Sequence, residues 1–231
     1  MNKAMIIGNL GRDVEMHSSN DLTIAKFSIA ATEKFKDKER TEWLNIVSFG
    51  KLAEICQKHL KKGNQVYIEG KRSQSVWEKD GETRYSSEIV ASKMLMLGSG
   101  SKLGLNKVLL IGRLGADPEV RYTKQGLPVA ALSLATNEQN GNGKAPQWHR
   151  IIALGKLAEI CKEYLQKGRQ IQIEGRFQTR SWVQNGNTRY STEIIVSSME
   201  MLGSKPGTST PDPVFDTGDE NNGYLDEDIP F

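Results

Sequence analysis

Gly50-Lys51-Leu52-Ala53-Glu54-Ile55-Cys56 recurs unchanged, 105 residues further on, as Gly155-Lys156-Leu157-Ala158-Glu159-Ile160-Cys161. The same offset carries Trp43 onto Trp148, Gly63 onto Gly168, and Ile68-Glu69-Gly70 onto Ile173-Glu174-Gly175. It also carries Trp77 onto Trp182, Thr83-Arg84-Tyr85-Ser86 onto Thr188-Arg189-Tyr190-Ser191, and Met96-Leu97-Gly98 onto Met201-Leu202-Gly203. Upstream the offset is 104, taking Asn2-Lys3 onto Asn106-Lys107 and Gly8 onto Gly112, so one residue is inserted near Gly126. A period of this length is too long for a solenoid unit and suits a small domain. Two tandem copies are therefore predicted, over 1–98 and 105–203. The Gly/Ser-rich stretch 99–104 joins them, as a natural flexible linker or as the scar of a fusion.

Each copy reads mostly as strands. Met5-Ile6-Ile7 and Leu109-Leu110-Ile111 are short apolar runs ending at Gly. Ile24 to Ala31 and Trp43 to Phe49 alternate, as half-buried strands do. In the long run that follows, Val66, Ile68, Gly70, Arg72, Gln74 and Val76 share one parity, and Tyr67, Glu69, Lys71, Ser73, Ser75 and Trp77 the other. Lys79-Asp80-Gly81-Glu82 and Gln184-Asn185-Gly186-Asn187 carry the signal of a two-residue hairpin turn. One helix is predicted per copy, over 51–62 in the first, with Leu52, Ile55, Cys56 and Leu60 on its buried face and Gly63 closing it. Five strands with a helix between the third and fourth is the order of an OB-fold. The predicted class is all-β: two five-stranded Greek-key barrels, each with one helix, followed by a disordered tail.

The charge is divided between the body and the tail. The 231 residues carry a formal +3. Residues 204–231 hold seven acids and one base, leaving +9 on residues 1–203. A basic body points to a polyanionic partner. No apolar run is long enough to span a membrane, and the N-terminus is too soon interrupted for a signal peptide. Two cysteines cannot make a disulfide framework, so a reducing cytoplasm is the expected location. Cys56 and Cys161 fall on the buried helix face, as small core hydrophobes or as reactive thiols. The scattered His and Cys give no metal spacing, and neither a metal nor a cofactor is expected.

Trp43, Asn45, Val47 and Phe49 share one side of a strand; Tyr67, Lys71 and Trp77 share one side of the next. In the second copy Trp148 and Arg150 stand together, then Arg176, Arg180 and Trp182. Trp and cations side by side on a strand read as a base-stacking platform flanked by phosphate-neutralising groups. Core packing and a protein interface are the alternatives. The tail shifts to Pro, Gly, Ser and Thr, then to acids, and should be disordered. It ends Asp226-Glu227-Asp228-Ile229-Pro230-Phe231. This is either a peptide hook, with an aromatic ring and carboxylates for a basic pocket, or an uninvolved charged end.

These features resemble the bacterial single-stranded DNA-binding protein family across almost the whole chain. The matching stretches are Asn106-Lys107-Val108, Gly112-Arg113-Leu114-Gly115, Asp117-Pro118-Glu119-Val120-Arg121-Tyr122 and Trp148-His149-Arg150, then Ile173-Glu174-Gly175-Arg176, Met199 to Gly203, and the terminal Asp228-Ile229-Pro230-Phe231. The resemblance implies a protein that coats single-stranded DNA in replication, recombination and repair without sequence specificity. It implies that replication and repair proteins are recruited through the tip (Asp226, Glu227, Asp228, Ile229, Pro230 and Phe231). Two OB-folds per chain imply a homodimer with four. A nucleoid-associated place in the cytoplasm, away from the membrane, follows. The stacking residues carried over are Phe35, Trp43, Phe49 and Trp77 in copy 1 and Trp148 and Trp182 in copy 2. The phosphate contacts are Lys71, Arg72, Arg121, Arg150, Arg176 and Arg180. In copy 2, Leu154 and Asn140 replace Phe49 and Phe35, so copy 1 is expected to stack more and copy 2 to lean on charge. The family's subunit-contact histidine survives only as His149; a buried, satisfied histidine is the other reading.

Three other functions compete with a DNA coat. A nuclease needs clustered carboxylates, and the recurring Glu69 and Glu174 read as structural or salt-bridged, so no enzyme is expected. An OB-fold adaptor fits the terminal Ile229-Pro230-Phe231 less well. For RNA over DNA, no residue reads the 2′-hydroxyl either way.

Overall fold

The computed structural model describes residues 1–19, 22–35, 38–79, 82–98, 104–137, 146–184, 187–203 and 214–216. They fall into two compact units, Lys3–Lys107 and Met1–Asn2 with Val108–Phe231.

The first copy runs β1 (Asn2–Leu10), β2 (Glu15–Ser19), β3 (Leu22–Phe35), β4 (Lys38–Phe49), α1 (Gly50–His59), β5 (Gln65–Lys79) and β6 (Glu82–Gly98). Alternation in β1 sends Ala4, Ile6 and Leu10 inward, against Phe27, Ile29, Ile46 and Ile68. Antiparallel pairs join β3 to β4, β6 to β5 and β5 to β1. A two-rung parallel contact, Ile46↔Ile89 and Val47↔Val90, joins β4 to β6. Asn9↔Ala30 and Leu10↔Ile29 pair β1 with β3 and close the ring, so these five strands form a barrel. This is the OB-fold. At Glu69/Gly70 the register of β5 slips by a bulge, where a Cβ on Gly70 would strike the Val90 carbonyl. Such kinks bend a strand so that it serves both sides of a barrel.

The second copy repeats the plan with β7 (Leu105–Leu114), β8 (Glu119–Tyr122), β9 (Pro128–Asn137), β10 (Pro146–Leu154), α2 (Lys156–Tyr164), β11 (Gln170–Gln184) and β12 (Asn187–Leu202). Its parallel rungs are Ile151↔Ile194 and Ile152↔Ile195. Arg113↔Ala135 and Leu114↔Leu134 close the barrel, and the bulge recurs at Glu174/Gly175.

Beside each five-stranded barrel, which is as expected, lies one short further strand, β2 or β8, paired to β3 or β9. Other expectations need correction. Within the tail, predicted to be disordered from residue 204, β13 (Val214–Asp216) pairs with Ser198–Glu200 of β12; the rest of the tail lies outside the described residues. Helix α1 ends at His59, not Lys62. Leu60 is already extended, and the next two amides leave the helix for side chains. Lys61 N donates to Asn64 Oδ1 and Lys62 N to Asp13 Oδ1, both at 2.7 Å. Ile55 is exposed on α1, and Ala53 packs inward with Cys56. The two hairpins turn where expected, Lys79 pairing with Glu82 and Gln184 with Asn187; the turn residues themselves lie outside the described set.

Candidate nucleic-acid interface

β4 turns Thr41, Trp43 and Asn45 outward, then buries Ile46, Val47 and Ser48 in succession before Phe49 emerges. Val47 therefore leaves the outward row predicted for it, because it pairs with Val90 across the parallel seam. Trp43 is 57% exposed and Phe49 40%. So large an apolar exposure at the middle of a well-packed strand is costly unless something covers it.

The Trp43 ring has a floor. A Cβ built on Gly11 would collide with its Cζ3 and Cη2 atoms and crowd Ser28 Oγ. The second copy repeats the arrangement. Trp148 is 47% exposed, and a Cβ on Gly115 would meet the same two ring atoms. In each barrel, then, the six-membered ring of an indole is pressed at Cζ3 and Cη2 against a glycine while much of the ring stays open to solvent. That geometry suits a flat ligand stacked on the open side.

On β11, residues Arg176, Gln178, Arg180 and Trp182 share a face, since side chains alternate along a strand. Their cross-strand partners on β12 are Ile195, Glu193, Ser191 and Arg189. Trp182 is 45% exposed. Arg150 of β10 reaches the same face, its Nε 2.6 Å from Glu193 Oε1. Copy 2 thus brings together Trp182, Arg150, Arg176 and Arg180.

These arginines are not naked charges. Arg150 and Arg180 both face Glu193. Arg121 is held by Glu119 at 2.5 Å, and Arg176 donates to Gln178 Oε1 at 3.2 Å. The expected excess of free positive charge in copy 2 is correspondingly reduced. Leu154 is buried with Val129, Ile152 and Ile195, so it offers no surface to a base.

Arg72 leaves the phosphate set. It is 4% exposed, inside the first barrel, donating to Ser87 Oγ and Gln74 Oε1. Burial pulls its guanidinium down to about 10, which still leaves it charged at neutral pH. The signal was available, because the repeat places Arg72 opposite Phe177, a core residue of the second barrel. Lys71 takes the other parity and is half-buried. Phe35 and Trp77 lie on β3 and β5, their side chains outside the described residues, as are the predicted tip residues Asp226–Phe231. Tyr122 and Tyr190 are 55% and 67% exposed; neither is a candidate from the sequence, although Tyr190 sits inside a repeated stretch and Tyr122 inside one that carries the family resemblance.

The remaining polar candidates are structural. Glu69 is bridged to Lys3 at 3.0 Å and accepts from Tyr67. Its carboxyl is held below the usual range by the hydrogen bonds from Lys3 and Tyr67. His149 is buried and bonded to Thr136 Oγ1 at 2.9 Å, as in the satisfied-histidine reading. Cys56 and Cys161 are fully buried, and desolvation pushes both thiols up, Cys161 to about 12. Among the described residues no three His, Cys, Asp or Glu side chains form a metal-binding group, and no helix is long and apolar enough to cross a membrane.

Three comparisons bear on this surface. The model of the single-strand binding protein family matches residues 1–97 and again 105–202. The single-stranded DNA-binding protein 1 of Chlorobaculum tepidum is 55% identical over 109 residues, covering 44% of this chain and 67% of that one. The wild-type single-stranded DNA binding protein of Thermus aquaticus superposes with a TM-score of 0.75 at 28% identity, over 91% of this chain and 97% of its own. A deletion mutant of that protein gives 0.75 at 29% identity, over 90% and 97%.

Proposed function

The chain belongs to the single-strand binding protein family, and from that premise we propose that it binds single-stranded DNA without sequence preference. It acts as a protective coat in replication, recombination and repair, with no catalytic role. The observation that carries the reading is the pair of half-open indoles, Trp43 and Trp148, each floored by a glycine in its own barrel. Every base has a π-face, so an aromatic platform accepts any sequence, at about 1–3 kcal/mol per stacked base. Phosphates are neutralised by Lys71, Arg121, Arg150, Arg176 and Arg180, with Phe35, Phe49, Trp77 and Trp182 extending the platform.

The rest of the proposal is finer. The chain is organised as barrels 1–98 and 105–203, a linker over 99–104 and an acidic tail from 204. Two chains make a homodimer with four OB-folds, and the tip Asp226–Phe231 draws replication and repair enzymes to coated DNA. Two barrels per chain support the dimer, and the charge and aromatic end of the tip support recruitment.

Titration with oligo-dT, followed by tryptophan fluorescence, tests the central claim. Saturable quenching is expected, with affinity falling as salt rises at about 0.7 log units per log unit of salt for each phosphate neutralised. Equal affinity for duplex DNA, or no quenching, would sink it. Light scattering tests the dimer, which should weigh twice the 25.7 kDa chain.

A further inference from the structure

Glu193 lies on the face that carries Trp182, Arg180 and Arg150. Its side chain is only 4% exposed. Oε1 lies 2.6 Å from Arg150 Nε, and Oε2 lies 3.4 Å from Arg180 Nε. The second contact is an ion pair without hydrogen-bond geometry. Glu193 Oε2 and the Nε and Nη2 atoms of Arg180 make no hydrogen bond. One carboxylate therefore serves two guanidiniums, holding Arg150 closely through Oε1 and meeting Arg180 by charge alone through Oε2. The two arginines differ in access: Arg180 is 13% exposed and Arg150 48%.

Copy 1 lacks this arrangement. By the repeat, Asn45 stands for Arg150 and Ser75 for Arg180. Glu88 stands for Glu193, and it pairs at 3.3 Å with Lys26, whose counterpart is Ala131. The acid's cation thus stands on β3 in copy 1 and on β10 in copy 2, next but one to Trp148, with a second on β11.

Resting on the single-stranded DNA reading, we infer that Glu193 is a positioning residue that withholds Arg150 from phosphate. In the DNA-free barrel it holds the exposed guanidinium of Arg150 down beside the Trp148 platform and shares its remaining oxygen with Arg180. An incoming phosphate must compete with the carboxylate for Arg150. When it wins, Glu193 stays paired with the better-buried Arg180, which stands ready to take the whole carboxylate. The acid thus tempers the affinity of copy 2 and shortens its reach for phosphate. A buried carboxylate between two cations holds strongly, because removing one partner of such a group leaves the others uncompensated.

The test is E193Q in the full chain, titrated with oligo-dT across a range of salt, beside wild type and E88Q. E193Q removes the competitor and keeps the shape. Binding is expected to tighten several-fold at low salt, and the salt slope to steepen by about 0.7 as one more phosphate is engaged. E88Q, which frees a lysine on the other barrel away from any such pair of arginines, should change the slope less than E193Q. Unchanged affinity and slope in a folded E193Q, or weaker binding, would overturn the inference.

Should E193Q fail to fold, R150Q carries the test. A withheld arginine contributes less than a full contact, so R150Q should shallow the slope by less than half of the roughly 0.7 a free cation gives. A full loss overturns the withholding. A wild-type chain that binds no oligo-dT overturns the underlying reading, and this inference with it; normal wild-type binding with an unmoved E193Q overturns the inference alone.

Discussion

Gly11 lies against the six-membered ring of Trp43 at Cζ3 and Cη2, with no room between them for a single methyl carbon. Gly11→Ala must therefore lift or swing the indole. The obstructing atoms are the far edge of an exposed side chain, so the fold should tolerate the change while the platform does not. We expect oligo-dT affinity to fall by about 1–3 kcal/mol, the worth of one stacked base, with little change in melting temperature. Gly115→Ala should do the same through Trp148. Fluorescence titration and thermal melts check both; a large drop in stability with intact binding would refute the floor role.

Trp43→Ala and Trp148→Ala are expected to cost similar amounts, again about 1–3 kcal/mol each. The sequence alone pointed to heavier stacking in copy 1. The structure gives the two rings near-equal exposure and the same floor, and it ties up the arginines meant to compensate in copy 2. Paired titrations of the two single variants decide the matter, a several-fold inequality going against this prediction.

Arg72→Phe should stabilise the first barrel. It installs the residue that the second barrel uses at the same place, Phe177, and removes a buried guanidinium that donates to Ser87 and Gln74. Replacing buried charge by a hydrophobe of suitable shape is often neutral or favourable by about 1–4 kcal/mol. The expected readout is a melting temperature raised by a few degrees with unchanged oligo-dT affinity. Weaker DNA binding would return Arg72 to the interface.

The thiol of Cys161 makes stability depend on pH in the alkaline range. Burial raises it from 9.0 to about 12. Below pH 9 both folded and unfolded forms are protonated, and the contribution is complete. Between 9 and 12 the unfolded thiol ionises first, so stability is lost as pH rises. Melts at rising alkaline pH should fall more steeply for wild type than for Cys161→Ala, and native Cys161 should resist alkylation near neutrality. Parallel pH curves would contradict this.

Removing residues 212–231 deletes all seven tail acids, Asp212 included. If the tail competes with DNA for the basic body, binding should tighten modestly at low salt, and the gain should vanish as salt rises. A gain that persists at high salt, or none at any salt, would exclude competition.

Much of this architecture could be read from the chain because it is written twice. The repeat fixed the equivalence of Trp43 and Trp148, and two-residue hairpin signals sit where β5 meets β6 and β11 meets β12. What escaped were features set by contacts distant in sequence. Lys61 and Lys62 look helical until Asn64 and Asp13 capture their amides. Val47 reads as outward by alternation, but the parallel seam with Val90 buries it. Arg150 and Arg180 read as free cations, since nothing local reveals that Glu193, across the sheet, lies against both. Arg72 was legible and misread: its parity matched Val66 and Ile68, and only its charge argued for the surface.

The pairing that seals the first barrel also sets a schedule. Ile6 pairs with Ile68, and β5 in turn pairs with β6 out to Gly98. β1 therefore meets β3 early, through Leu10 and Ile29, but waits for β5, where Ile6 meets Ile68. Contacts so distant along the chain slow folding, because loop entropy is lost before they form. Until β5 has emerged, the edge of β1 that it covers is open to wrong partners.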